Sequence, residues 1–338
     1  MSRGSFVTGA AMSRRPRIKP QQPVTRYHVM TRTAQQAFYL SDQWVPGFKD
    51  RCLQIIEAMA DIYYVDLFAW VLMDNHYHLC IEVRRPDICA MDIQARYERL
   101  QEHKTSPRPW RTEYVDRYYR RFTDLSRFMA EINLRMTRAF NKACGTSGHM
   151  WGGRFKSKII ENDESMLRVM TYIAQNPVRA GICQRPSEYE WCSAGNCHQR
   201  LAMGRSTRVP AVGFVGTWPK EKRALNYVFW MDYQALCILH PKLRLERPPW
   251  DIAQHCLDED TITKWREDFE AREPVDWRTQ AYGSETFHQQ ICQAEERRRI
   301  ELDWAKCSPA IRRERKQHFK KEAPSSGHSQ AITRPKNN

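Results

Sequence analysis

His76 and His78 lie two residues apart in the run Asp74-Asn75-His76-Tyr77-His78-Leu79-Cys80-Ile81-Glu82-Val83. Leu79, Ile81 and Val83 alternate with Cys80 and Glu82, which predicts a β-strand. Strand side chains change face at every residue, so the two imidazoles share a face while Tyr77 and Leu79 turn the other way, into a core. Two imidazoles on a rigid strand make half of a divalent-metal site. Two solvated histidines on an exposed sheet face would give the same pattern. A second pair, Tyr172 and Asn176, stands at i and i+4 on a predicted helix and so projects from one helix face. A tyrosine in mid-helix ordinarily belongs to the core or its boundary, and from spacing alone a catalytic tyrosine is the minority reading. A third group is Arg154, Lys156 and Lys158, at alternating positions near Trp151. Three cations in a row beside an aromatic suit a nucleic-acid backbone with a stacking platform, and also suit an edge strand guarded by lysines.

These residues need a scaffold to hold them. Arg26 to Arg32 (RYHVMTR) reads as a first strand, with Tyr27, Val29 and Thr31 on one face and His28 on the other, where a structural or solvated histidine is expected ahead of one near an active site. Pro46 to Ala60 reads as a helix with the apolar stripe Phe48, Cys52, Ile55, Ile56 and Met59. Tyr63 to Met73 reads as a strand leading through a turn at Asp74-Asn75 straight into the histidine strand, an antiparallel hairpin. Residues 85–121 break the pattern and are expected to be an insertion with a helix near Met91 to Glu102. Thr123 or Asp124 caps a helix running to about Ala143, with Leu125, Phe128, Met129, Ile132, Met136, Ala139 and Phe140 buried. Glycines at 148, 152 and 153 precede the cationic strand. Asn162 or Asp163 caps the tyrosine helix, whose core positions are Met166, Leu167, Met170 and Ile173, and Pro177 is expected to end it. Tyr189 to Ala194 reads as a short closing segment.

A length of 338 residues fits one core domain with additions. The net charge of +15 points to an anionic partner, nucleic acid before an anionic membrane surface. No run is long and apolar enough to span a membrane, and the basic N-terminus has no apolar core of a secretory signal. Eleven scattered cysteines fit reduced thiols and a cytoplasmic location. Cys183, Cys192, Cys197 and His198 lack zinc spacing, no CxxC occurs, and neither a phosphate-binding glycine loop nor a serine-hydrolase elbow is present. The expected organisation is a basic disordered tail (1–22), a catalytic domain (23–199), a helical C-terminal extension (200–307) and a second basic disordered tail (308–338).

In chain order the segments YHVMTR, DNHYHL, SGHMWGGRFKS, YIAQNPVRAG and YEW resemble the single-tyrosine HUH transposases, most closely their REP-associated branch. The match covers about residues 24–194, with a gap at the insertion. Each motif is weak alone, but together in the right order they are specific. The resemblance implies an α+β fold, a small antiparallel sheet with helices on one side (ferredoxin-like or RRM-like), which agrees with the βαββαβα order read above. It implies that Tyr172 is the nucleophile and that His76, His78 and Asn176 hold Mg²⁺ or Mn²⁺. It further implies cleavage and rejoining of single-stranded DNA beside REP-like hairpins, through a 5′-phosphotyrosine, by a monomer or homodimer. Arg154, Lys156, Lys158 and Trp151 are the expected DNA contacts. Compact members lack the insertion and everything beyond Gln199, so nothing transfers to those parts. The competing class is a noncatalytic nucleic-acid-binding regulator on the same kind of sheet.

Overall fold

In the computed structural model the described residues are 20, 22–102, 104–207, 209–217, 219–239 and 281–306. They form β1 (Val24–Arg32), α1 (Phe48–Ile62), β2 (Val65–Leu72), β3 (His76–Arg84), α2 (Ala90–Glu102), α3 (Val115–Phe122), α4 (Leu125–Cys144) and β4 (Lys156–Ile160). After these come α5 (Asp163–Ala174), α6 (Asn176–Arg179), α7 (Ser193–Ala202), α8 (Lys220–Leu239), β5 (Ala281–Tyr282) and α9 (Glu285–Lys306). Residues 19–290 make one compact unit, and 1–18 with 291–338 make another, of which the described part is the latter portion of α9. The expected tails fall almost wholly outside the described residues.

The fold is α+β, with a five-stranded, mainly antiparallel sheet in the order β2-β3-β1-β4-β5. The hairpin expected at Asp74-Asn75 forms, and the Met73 amide donates to the His76 carbonyl at 2.8 Å. The β1–β3 pairing sets His28 opposite Cys80, Met30 opposite His78 and Arg32 opposite His76. The β1–β4 pairing sets His28 opposite Lys158. Even-numbered residues of these three strands therefore share one face, and the odd-numbered ones share the other.

The odd face holds Tyr27, Val29, Tyr77, Leu79, Ile81 and Val83, all buried. The Tyr77 hydroxyl donates to Asn133 of α4 at 2.6 Å. Phe48 of α1 packs its ring 5.6 Å from Phe140 of α4, so these two helices close that side. Asp124 caps α4 by accepting from the Arg127 amide at 3.0 Å, which satisfies one of the unpaired amides of its first turn. On the even face Ala69, Val71, Cys80 and Ile160 pack with Met166, Leu167, Met170 and Ile173 of α5. Helices thus cover the sheet on one side as expected, and α5 covers the other as well.

The segment beyond Gln199 is not a separate layer. Tyr227, Val228, Trp230 and Met231 of α8 belong to the same apolar cluster as α5 and the even face. β5 adds a strand to the sheet by pairing parallel with β4, Ile160 opposite Tyr282. The apolar cluster of the sheet and α5 therefore continues across the boundary expected at residue 199. The closing segment runs against the free edge of β2: the Leu72 amide donates to the Trp191 carbonyl at 2.8 Å and the Tyr189 hydroxyl to the Leu72 carbonyl at 2.7 Å. The insertion folds into α2 and α3, joined through Tyr97 and Tyr118, whose rings are 4.6 Å apart. Gly152 brings the glycine-rich segment against the end of β1; its amide donates to the Arg32 carbonyl at 3.0 Å, and a Cβ there would stand 2.8 Å from the Thr33 carbonyl.

Shared packing has a thermodynamic consequence. Trp230→Ala should cost about 3–5 kcal/mol of stability and lower the urea midpoint of the sheet and of α8 together. Far-UV circular dichroism and tryptophan fluorescence should then report one coincident transition, whereas two separated transitions would show that α8 folds on its own.

Candidate functional site

The His76 and His78 rings lie on the even face with centroids 5.1 Å apart. α5 brings the third side chain. Asn162 caps this helix by accepting from the Ser165 amide at 2.9 Å, and Asp163 and Glu164 complement the positive end of its dipole. Its apolar stripe presses on the even face, and that rotational setting carries Tyr172 over the imidazoles. The Tyr172 ring stands 5.7 Å from the rings of both His78 and His28. The sheet and α5 thus meet on the same side, with the phenol and both histidines together.

Asn176 follows a break in the helix. Pro177 was expected to end the helix at Asn176. The helix instead ends at Ala174, and Asn176 opens α6 with Pro177 in its first turn. A proline there loses no hydrogen bond, because the first-turn amides have no helical partner. The Asn176 side-chain amide donates to the Tyr172 carbonyl at 2.9 Å. That leaves its oxygen as the atom free to turn toward His76, which the Asn176 side chain adjoins. On the other side, His76 Nδ1 meets Asn75 Oδ1 at 2.7 Å, while the Asn75 amide donates to the Gln36 carbonyl at 3.3 Å. Two amide oxygens therefore face a neutral imidazole that has one N–H to give. The surplus of oxygen and ring lone pairs is what a bound cation takes up, so this donor set suits a labile divalent ion. Among the described residues no three His, Cys, Asp or Glu side chains are arranged as a metal cage. The candidate set is two imidazoles and an amide.

Burial decides the protonation states. Loss of hydration, and then Arg32, push His76 down to about 4. His28 is pushed down to about 3 by complete burial and then by Lys158. His78 lies well below its ordinary value, through burial first and then through His28, His76 and Arg32. All three are neutral near pH 7 and present lone pairs. Tyr172 is raised by burial, against the opposing pull of Arg179 and Arg32, so the phenol holds its proton in the resting site. The Arg179 guanidinium lies 5.8 Å from the centre of the Tyr172 ring.

The cationic group is taken apart. Arg154 precedes β4 and is exposed, as is Lys156. Lys158 was expected beside them at the surface, but is 3% exposed, with its ammonium 3.9 Å from the centre of the Tyr282 ring. β5 covers that part of β4, and a two-residue strand leaves no periodic signal in a sequence. Trp151 was expected as an open stacking platform. Its indole N–H donates to the Asn133 carbonyl at 3.0 Å and its ring meets Tyr77 edge-on at 5.4 Å, which places it on the odd side, away from the imidazoles.

Two participants, Arg32 and Tyr282, were not anticipated, and His28, for which a structural or solvated place was favoured over one near the active site, is fully buried within the cluster, with Nε2 2.9 Å from His78 Nδ1. Its parity was legible: once β1 lies antiparallel beside β3 with Met30 opposite His78, His28 falls on the histidine face. Arg32 follows by the same parity. Tyr282, whose hydroxyl lies 2.9 Å from His28 Nδ1, had no such signal.

No protein-family model matches the sequence, and no curated protein matches it. Among solved structures the chain is similar to a REP-associated tyrosine transposase bound to a REP hairpin. The two are 20% identical, the likeness covers 57% of this chain and 87% of that one, and the TM-score is 0.35.

Imidazoles held neutral by burial make stability pH-dependent with a definite sign. Between about 6.5 and the lowered folded values, the unfolded chain binds protons that the native one does not, so stability is full above about 6.5 and falls as the pH drops. Each such imidazole contributes a slope of about 1.4 kcal/mol per pH unit. Urea unfolding at pH 7 and pH 5 should show this loss, and His28→Asn should lessen it. An unchanged slope in that variant would mean that His28 titrates normally.

Proposed function

We propose that this chain cleaves and rejoins single-stranded DNA through a covalent tyrosine intermediate. The observation that supports this reading is the convergence of Tyr172 and Asn176 on His76 and His78 at one face of the sheet. The order of sequence motifs supports it independently, and implies that the strand cut lies beside a hairpin.

The chemistry follows from these side chains. A phosphodiester is attacked slowly because its charge repels nucleophiles. His76, His78 and the Asn176 amide oxygen would hold Mg²⁺ or Mn²⁺, which when bound polarises a nonbridging phosphate oxygen and offsets its charge. The Tyr172 oxygen attacks phosphorus, its proton leaves to water, and the bond from phosphorus to the 3′-oxygen breaks. The DNA 5′ end is now a phosphotyrosine, and the departing 3′-oxygen takes up a proton. The phenol, kept protonated by burial until it attacks, loses its proton beside Arg179 and Arg32, and these cations stabilise the phenoxide as it forms. The phosphotyrosine keeps the energy of the phosphodiester, so the 3′-OH of another strand can reverse the step and rejoin DNA without ATP. Arg154 and Lys156 would guide the strand's backbone toward the site, and Lys158 would not touch it.

Incubation with Mn²⁺ and a labelled hairpin oligonucleotide, resolved on a denaturing gel, tests the reading. The wild type should form a covalent adduct. Tyr172→Phe should form none while binding the oligonucleotide nearly as well, and an adduct in that variant would place the nucleophile elsewhere. His76→Ala and His78→Ala should abolish metal-dependent cleavage, and undiminished cleavage in EDTA would contradict the metal role.

Burial also separates the two lysines. Lys156→Ala should lower the slope of log affinity against log salt by about 0.7, the effect of one lost contact to a single strand. Lys158→Met should leave that slope unchanged; a fall of similar size would put its ammonium on the DNA.

A further inference from the structure

The C-terminal strand contributes a side chain to the histidine cluster. β5 is held by Glu161 at the end of β4, which accepts from the Ser284 hydroxyl at 2.9 Å and from its backbone amide at 2.6 Å. Gly283 permits this close approach, since its φ is +153° and a Cβ there would stand 2.3 Å from the Glu161 carboxylate. The Glu161 amide donates to the Tyr282 carbonyl at 3.0 Å. Tyr282 is thereby fixed beside β4 with the Lys158 ammonium over its ring, and its hydroxyl meets His28 Nδ1 at 2.9 Å. His28 Nε2 in turn meets His78 Nδ1 at 2.9 Å. Tyr282, His28 and His78 make a continuous relay from the last strand of the sheet to the site.

Neutral imidazoles carry one N–H each, so the relay runs in one of two directions. In the first, His78 Nδ1–H donates to His28 Nε2, His28 Nδ1–H donates to the Tyr282 oxygen, and His78 keeps the lone pair on Nε2. In the second, the Tyr282 hydroxyl donates to His28, His28 Nε2–H donates to His78 Nδ1, and His78 Nε2 carries the proton. We propose that Tyr282 is a positioning residue that holds the relay in the first direction, so that His78 offers the Nε2 lone pair to the site. This rests on the reading of His78 as a ligand given above.

The cations around the site favour that direction, and the hydroxyl makes it testable. Arg32 acts on His78, and Arg32 and Arg179 both act on the neighbouring Tyr172, so the cluster faces cations that favour a lone pair over an N–H. The hydroxyl is the acceptor on which the first direction depends: in Tyr282→Phe, His28 Nδ1–H would be a buried donor with its bond removed, at a cost of about 1–3 kcal/mol, whereas the second direction would lose only a donor to a lone pair. The Lys158 ammonium polarises the hydroxyl toward donation, and the cations on the site side act against that pull. Fixing a ligand's tautomer through its second nitrogen is a general way of tuning a histidine ligand.

Tyr282→Phe removes one oxygen and keeps the ring under Lys158. Full-length chain labelled with ¹⁵N-histidine, with His78 assigned by His78→Gln, gives the tautomer from long-range proton–nitrogen correlations. The wild type should show His78 protonated at Nδ1, and Tyr282→Phe should move the proton to Nε2. In the gel assay, the half-saturating Mg²⁺ concentration should rise about 10–100-fold in Tyr282→Phe, with the oligonucleotide KM unchanged. The inference is overturned if the wild type carries the His78 proton on Nε2, or if Tyr282→Phe leaves the tautomer as it was. A wild type that forms no adduct, but whose His78 tautomer switches on Tyr282→Phe, would sink the transposase reading and leave the relay standing.

Discussion

The site depends on the burial of one helix face. Met166, Leu167, Met170 and Ile173 press against Ala69, Val71, Cys80 and Ile160, and this contact sets both the position of α5 and its rotation about its own axis. Tyr172 lies next to Ile173 in sequence and takes its direction from that rotation. A helix turned by one residue, about 100°, would carry the phenol off the imidazoles. Packing that looks purely structural therefore aims the Tyr172 phenol at the imidazoles. The partner surface is equally constrained: a sheet with His76 and His78 on its even face must also offer small or apolar residues there, and Cys80, Ala69 and Val71 do so.

The same burial sets the electrostatics. Desolvation leaves the three imidazoles neutral and the phenol protonated, and the cations around them are Arg32 and Arg179 beside Tyr172 and the buried Lys158 beside His28. This is a resting state prepared for an anion. The lone pairs of the three imidazoles stay available because burial disfavours their protonation. The oxygen-rich surroundings of His76, with the Asn75 and Asn176 amides both presenting carbonyls, belong to the same design.

Much of this was legible in the sequence because it rests on local periodicity. The alternation in Leu79 to Val83 gave the strand and the shared face of the two histidines. The apolar spacing in α1, α4 and α5 gave their buried stripes, and Asp124 and Asn162 marked two helix starts through their capping chemistry. What stayed hidden was long-range. His28 became part of the site only through the pairing of β1 with β3. Lys158 carries the same alternation as Lys156, and only a covering strand from far along the chain distinguishes them. β5 is two residues long and has no period to read, and α8 joins the core through residues set in a charge-rich context. Trp151 was misjudged because an exposed-looking Gly-rich segment can still fold its one indole back onto a helix carbonyl.

The contact between His28 and Tyr282 joins residues 254 positions apart. During synthesis the nascent chain will have His76, His78, Tyr172 and Asn176 outside the ribosome well before Tyr282 is translated. Folding of the earlier segments can bring phenol and imidazoles together, but the last strand must arrive before His28 gains its second partner. The order of translation therefore allows the Tyr172–histidine grouping to form first and the His28–Tyr282 contact last, and an interrupted chain would carry the former without the latter.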